Sequence, residues 1–200
     1  MFEKIISAHF KRPSGLLGLF TANLMEKGNW RNYEVLLKEL NPTAGDEILE
    51  IGYGPGIGIS MLAKTCDFCI IHGIDFSKLM FKKAYKRNRE YIDQKKVKLA
   101  LGDFVEVTSD ASTYDKIFCV NVIYFWDDLH KPFKKIRSLL KTGGLFCFYM
   151  AHRDFLIKKK SADEVFNKYS IEEVLEALKS EQFEPVSYSY DKGYYVKAKK

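Results

Sequence analysis

Glu50-Ile51-Gly52-Tyr53-Gly54-Pro55-Gly56-Ile57-Gly58 is the stretch that decides how this chain folds. The short apolar run EILEI at 47–51 leads into four glycines at alternate positions, and an apolar helical pattern over 57–64 leads out. Glycine permits a tight turn and lets backbone N–H groups approach a ligand without a side chain in the way. The helix that follows points its positive end at the same place, which favours an anionic or electron-rich group there. Strand, glycine turn and helix together predict a ligand-binding loop at the first βα junction.

The chain around this loop alternates in the same manner. Apolar strands are predicted at 68–74 (FCIIHGI), 97–101, 116–123 (KIFCVNVI) and 145–151 (LFCFYMA), with helices at 77–91 and 129–140 between them. Lys141-Thr142-Gly143-Gly144 is expected to end the second of these helices, since glycine is favoured just past a helix C-terminus. Ser170 with Glu173 makes a capping box that opens a helix whose inner face is Ile171, Val174, Leu175 and Leu178. The runs 186–190 and 194–198, split by Asp191-Lys192-Gly193, read as a closing hairpin. Residues 2–40 follow a helical period that Asn41-Pro42 stops. Continuous apolar strands separated by helices imply a mostly parallel sheet covered on both faces, which binds ligands at the carboxyl ends of its strands.

Spacing within the glycine loop separates the candidate ligands. A dinucleotide fingerprint, G-x-G-x-x-G, needs a third glycine at 57 or 59, and both positions are Ile. A nucleotide P-loop needs Gly-Lys-Ser/Thr, which is absent. What remains is E-x-G-x-G-x-G-x-G, and here the sequence resembles the class I (Rossmann-like) S-adenosylmethionine-dependent methyltransferases, including small-molecule members related to those of quinone biosynthesis.

The resemblance implies a doubly wound α/β fold with a seven-stranded sheet of order 3-2-1-4-5-7-6, its last strand antiparallel. It implies one domain, with residues 1–42 a helical cap and 43–200 the core, and S-adenosylmethionine as cofactor. Glu50, Gly52, Gly54 and Gly56 would form its loop. Asp75, in Gly73-Ile74-Asp75-Phe76-Ser77, stands where the family has an acid that binds the ribose hydroxyls, and a carboxylate is a good double acceptor for a diol. Phe76, Ser77 and Met80 fit the opening of the next helix, where the family covers the adenine. Asp103 and Phe104, after the third strand, match the adenine site, and Asn121 stands at the end of the fourth beside the reacting methyl. Asn121-Val122-Ile123-Tyr124 departs from the Asn/Asp-Pro-Pro-Tyr/Phe motif with which relatives grip planar nitrogens, which argues against DNA adenine or glutamine side chains as acceptors.

The remaining residues are less informative. Cys66-Asp67-Phe68-Cys69 lacks the second ligand pair of a structural zinc site, so no metal is expected, and all four cysteines read as reduced thiols of a cytoplasmic protein. His72 falls inside a strand and reads as structural, whereas His152 and His130 follow the fifth and fourth strands and are the candidate catalytic bases, His152 foremost. Phe20, Trp30, Tyr33, Tyr124, Phe125 and Trp126 are divided between a candidate apolar pocket and the core. The net charge of +6 is uneven, with 16 Lys/Arg against 11 Asp/Glu in residues 1–100. That surface leaves a phosphate backbone as a second class of partner behind a small-molecule substrate. No run of eighteen apolar residues predicts a membrane span. RNA or protein methylation, and cofactor binding without catalysis, are the alternative functions.

Overall fold

The computed structural model describes residues 15–108, 110–158, 166–190 and 192–200. Its elements in chain order are α1 (Gly15–Leu40), β1 (Glu47–Ile51), α2 (Ile57–Thr65), β2 (Ile70–Asp75), α3 (Lys78–Arg87), α4 (Arg89–Asp93), β3 (Val97–Leu101), β4 (Tyr114–Val120), a 3-10 turn (Ile123–Phe125), α5 (His130–Leu139), β5 (Leu140–Ala151), α6 (Arg153–Lys158), α7 (Ile171–Ser180), β6 (Glu184–Tyr190) and β7 (Gly193–Lys199). The predicted helical pattern before residue 15 lies outside the described residues.

The sheet has seven strands in the order β3-β2-β1-β4-β5-β7-β6. Neighbours from β3 to β5 pair in parallel, and β7 runs antiparallel to both β5 and β6. This is the fold that the resemblance implies. Two apolar layers enclose the sheet. On one face α1, α2 and α3 bury Leu36, Leu40, Ile59, Leu62 and Ala84 against Ile48, Ile71 and Phe118. On the other, α5 and α7 bury Phe133, Ile136, Val174 and Leu178 against Ile117, Phe146 and Phe148. The capping box is formed, with the Ser170 side chain accepting from the Glu173 N–H and Glu173 accepting from the Ser170 N–H. Among the described residues no helix is long and apolar enough to cross a membrane.

Several boundaries differ from the sequence reading, each for a local reason. The second strand starts at Ile70, because Phe68 is exposed (76%) on the turn before it. The helix expected over 77–91 breaks at Asn88, whose fully buried amide donates to the carbonyls of Ala84 and Gly56. That side chain spends its hydrogen bonds tying the helix end to the glycine loop. The fourth strand stops at Val120, because Asn121 turns into the left-handed region at φ 58°. Lys141-Thr142-Gly143-Gly144 does not cap α5: Leu140 is already extended, and the four residues form a bulge within β5 between the Leu140–Tyr114 and Leu145–Lys116 pairs.

The cysteine reading needs the larger correction. Cys66 ends α2 and Cys69 precedes β2, with Cα atoms 5.6 Å apart, and the two are joined as a disulfide. That separation lies within the range a disulfide spans, and the four-residue turn brings the side chains together. The sulfurs also lie 3.6 and 3.2 Å from the Thr43 carbonyl oxygen, contacts that become hydrogen bonds only in the dithiol. Cys119 and Cys147 are free and buried in their strands. Alkylation of denatured protein prepared without reductant should therefore label two cysteines, and all four after reduction. Labelling of four without reduction would restore the all-thiol reading.

Candidate functional site

β1, β2, β3 and β4 end on the same side of the sheet, and the loops that follow them converge there. The Gly52 N–H donates to the Ile74 carbonyl at 2.7 Å, drawing the start of the glycine loop onto β2. Gly52, Gly54 and Gly56 all have positive φ (68°, 52° and 79°). At Gly56, which caps α2, the constraint is twofold, since a Cβ would also lie 2.6 Å from Asn88 Nδ2 and 2.9 Å from the Ala84 backbone. The Asp75 carboxylate holds the loop from the other side. Its Oδ2 accepts from the Gly54 N–H at 2.9 Å and its Oδ1 from the Ser77 N–H at 2.8 Å. Ser77 then caps α3, its hydroxyl accepting from the Met80 N–H at 3.4 Å.

Burial pushes the Asp75 carboxyl up to about 6, against the opposing pull of the Ser77 and Gly54 N–H groups. The group is thus ionised at neutral pH. A carboxylate has about four lone-pair sites, so two remain after the backbone bonds. Space for a ligand lies alongside, because a Cβ at Gly54 would meet no atom within 4 Å. The residues present therefore fit a ligand carrying a pair of hydroxyls.

A cleft of about 100 Å3 opens here, lined by the loop after β1, by Asp75 and Phe76, by Gly102 to Phe104, and by Val122, Phe125 and Trp126. Asp103 is exposed, and its Oδ1 accepts from the Val105 N–H at 2.9 Å. Phe104 and Trp126, with ring centres 6.4 Å apart, form an apolar wall. Asn121 sits at the rim of β4, its Nδ2 donating to Asn29 Oδ1 of α1 at 2.9 Å. Its Oδ1 accepts from the Tyr124 hydroxyl at 3.0 Å, and that hydroxyl in turn accepts from the Ala151 N–H at the end of β5. Burial holds the Tyr124 hydroxyl well above its ordinary range, so it stays a donor to Asn121 and is no base.

The structure brings Gly52, Asp75, Phe76, Asp103 and Phe104 together around the cleft. Met80 is instead buried with Ala84 beneath α3, and Glu50 lies under the loop with no exposed surface. His152 stands at the end of β5 with its ring 4.5 Å from that of Tyr194. His130 is not brought to the cleft. Its side chain is more than half exposed, and Nδ1 lies 3.0 Å from Glu181 Oε1 and 3.3 Å from Ser180 Oγ, beside the end of α7. His72 contacts Glu47 Oε2 at 3.1 Å within the sheet, and burial lowers its pKa. Of the aromatic candidates, Phe125 and Trp126 line the cleft, Tyr33 and Tyr124 are core, and Trp30 is exposed with its Nε1 donating to Glu34. The Phe20 side chain lies outside the described residues. Sequence reasoning missed Gly102, Val122 and Asn29. The first two adjoin expected site residues, but nothing local marks Asn29, whose partner lies 92 residues away.

Comparison with known proteins agrees with this fold. A family model for a methyltransferase domain matches residues 48–144, from β1 into β5. Residues 48–144 thus form a methyltransferase domain, and the sheet has the strand order of the class I S-adenosylmethionine-dependent methyltransferases. It is 36% identical over 118 residues to the uncharacterized methyltransferase YdaC of Bacillus subtilis, a match covering 59% of this chain and 63% of that one. A solved Haemonchus contortus phosphoethanolamine N-methyltransferase 2 in complex with S-adenosyl-L-methionine superposes with a TM-score of 0.68 at 25% identity, over 79% of this chain and 38% of that one. The methyltransferase solved with the Haloferax volcanii Trm112 activator shares the fold, with a TM-score of 0.77 at 19% identity over 90% and 92% of the two chains. This chain thus spans less than two-thirds of the length of YdaC and of the Haemonchus enzyme. The cofactor of this methyltransferase fold is S-adenosylmethionine.

Replacing Asp75 with Asn puts an N–H2 in place of one of the two oxygens that accept from the Gly54 and Ser77 N–H groups. Asp75→Asn should weaken S-adenosylmethionine binding roughly ten- to a hundredfold, the about 1.5–3 kcal/mol of hydrogen bonds to a charged group. Calorimetry returning the original affinity would remove Asp75 from the site.

Proposed function

We propose that this chain transfers the methyl group of S-adenosylmethionine to a small-molecule acceptor. The convergence of the glycine loop, Asp75 and Asp103 at one cleft carries this reading. In it Asp75 accepts from the ribose hydroxyls, Asp103 from the adenine amine, and Phe104 and Trp126 give the base its apolar wall. When bound, S-adenosylmethionine supplies a methyl already activated on a sulfonium. The work left to the chain is alignment, exclusion of water and, for a hydroxyl or acidic carbon acceptor, removal of a proton.

Asn121, held by Asn29 and Tyr124, fixes the rim of β4 where an acceptor approaches. In this reading α1, the described part of the 1–42 cap, covers one face of the 43–200 core. The acceptor is a small molecule in this reading because Phe76, Phe104, Phe125 and Trp126 line the cleft, and because several lysines are already occupied. Lys116, Lys131, Lys141 and Lys197 pair with Asp46, Glu106, Asp115 and Glu39, which leaves them poorly placed to hold a phosphate backbone.

His152 is the proposed base, since it follows β5 next to the rim, whereas His130 is turned toward α7. With an acceptor in hand and saturating cofactor, His152→Ala should lower kcat by about 10²–10⁴, the usual cost of removing a general base. His130→Ala should stay within a few-fold of the parent. Equal, small effects of both would show that alignment alone suffices or that another base acts. Failure of the purified protein to bind S-adenosylmethionine would overturn the whole reading.

A further inference from the structure

Glu50 is the most enclosed acid among the described residues, and it has no counter-charge. Its side chain leaves β1 toward α1 and α2, and the residue is 0% exposed. Oε1 accepts from the Tyr33 hydroxyl of α1 at 2.7 Å, and the Ile59 N–H of α2 also supports the carboxylate. Oε2 is buried without any hydrogen-bond partner. The contact with α2 is close because residue 58 is glycine: a Cβ there would lie 2.7 and 2.8 Å from the two carboxylate oxygens.

The titratable groups that face Glu50 are Tyr33 from α1, Asp75 from β2, Cys119 from β4 and Tyr53 from the glycine loop. All are neutral or anionic, and among the described residues no Lys, Arg or His acts on it. Burial is the dominant influence and pushes the carboxyl to about 8, only partly opposed by Tyr33 and Ile59. An ionised carboxylate with no cation beside it is strongly disfavoured at such a site, so the free protein holds Glu50 protonated at neutral pH. Glu50 and the glycines belong to one loop, and the cofactor assigned to that loop is a cation at its sulfonium and its ammonium.

We infer that binding of S-adenosylmethionine expels a proton from Glu50, whose carboxylate then becomes the buried counter-charge of the cationic cofactor. The O–H bond of Glu50 breaks, its electron pair stays on the carboxylate, and the proton passes to the buffer. The inference rests on the cofactor reading above. Linkage fixes the sign: a ligand that lowers the carboxyl pKa binds more tightly as pH rises, until the free protein has itself lost the proton. The α-amino group of the cofactor titrates in the same range, at roughly 7.7–8.0 for such amines, and its loss of charge opposes the trend. Glu50→Gln, which keeps the shape and removes the proton, is therefore the reference.

Calorimetric titrations with S-adenosylmethionine at pH 7, in buffers of different ionisation enthalpy, count the protons released. The parent should release close to one proton more than Glu50→Gln. Equal counts in the two proteins, with binding retained, would overturn the inference and leave the cofactor reading intact. Absence of binding to the parent would overturn the cofactor reading itself. If Glu50→Gln fails to fold, infrared difference spectra of the parent decide: a protonated carboxyl band present in the free protein at pH 7 should vanish on saturation. A free protein without that band would overturn the inference.

Discussion

The rest of the site depends on the Asp75 carboxylate and the two backbone N–H groups it holds. One comes from Gly54, in the loop after β1, and the other from Ser77, at the start of α3. A single side chain at the end of β2 thereby fixes the glycine loop on one flank and the entry to a helix on the other. Hydrogen bonds to an ionised, largely buried acceptor are worth more than neutral ones. The three left-handed glycines are costly in chain entropy. Asp75, the Gly52 bond to Ile74 and the Asn88 bond to Gly56 offset that cost from three directions. The loop is thus shaped before any ligand arrives, as precise binding requires.

Asn88 shows how the back of the loop is secured. Its amide completes α3 through Ala84 and reaches across to Gly56, so the end of one helix is latched to the start of another. The same close approach forbids a side chain at Gly56, whose Cβ would strike Asn88 and Ala84. α2 therefore sits hard against α3 at its N-terminus. At its other end it is joined to β2 through Cys66 and Cys69. Held at both ends, the helix can present its first turn to the cleft without drifting.

Much of this was legible in the sequence, and the pattern of success is physical. Parallel strands buried on both faces must be continuously apolar, so EILEI, FCIIHGI and LFCFYMA announced themselves, and the glycine loop placed the cleft at their ends. The capping box was legible because both its partners lie within one turn. What escaped depends on distance in the chain. The break at Asn88 needs Gly56, 32 residues away, and the bulge of Lys141 to Gly144 needs β4 beside it. His130 reads as a rim residue until Glu181, 51 residues on, turns it toward α7. Local pattern shows which residues form an element; it does not show which partner claims a polar side chain.

The same limit explains why α1 looks like a simple amphipathic cover in sequence and is more than that in the fold. Tyr33 reaches down from it to Glu50 beneath the loop, and Asn29, one turn earlier, reaches Asn121 at the rim of β4. Residues four apart lie on one face of a helix, so the two contacts are made by one side of α1. Asn32 also accepts from the Tyr195 hydroxyl and Glu39 pairs with Lys197, which anchors the helix to β7. The helix is thereby fixed to β7 while touching both the acid beneath the loop and the rim of β4. Ionisation of Glu50 strengthens its bond with Tyr33, because a carboxylate accepts more strongly than the neutral acid. Tyr33 and Asn29 thus tie the buried acid beneath the loop and the rim of β4 to one turn of the same helix.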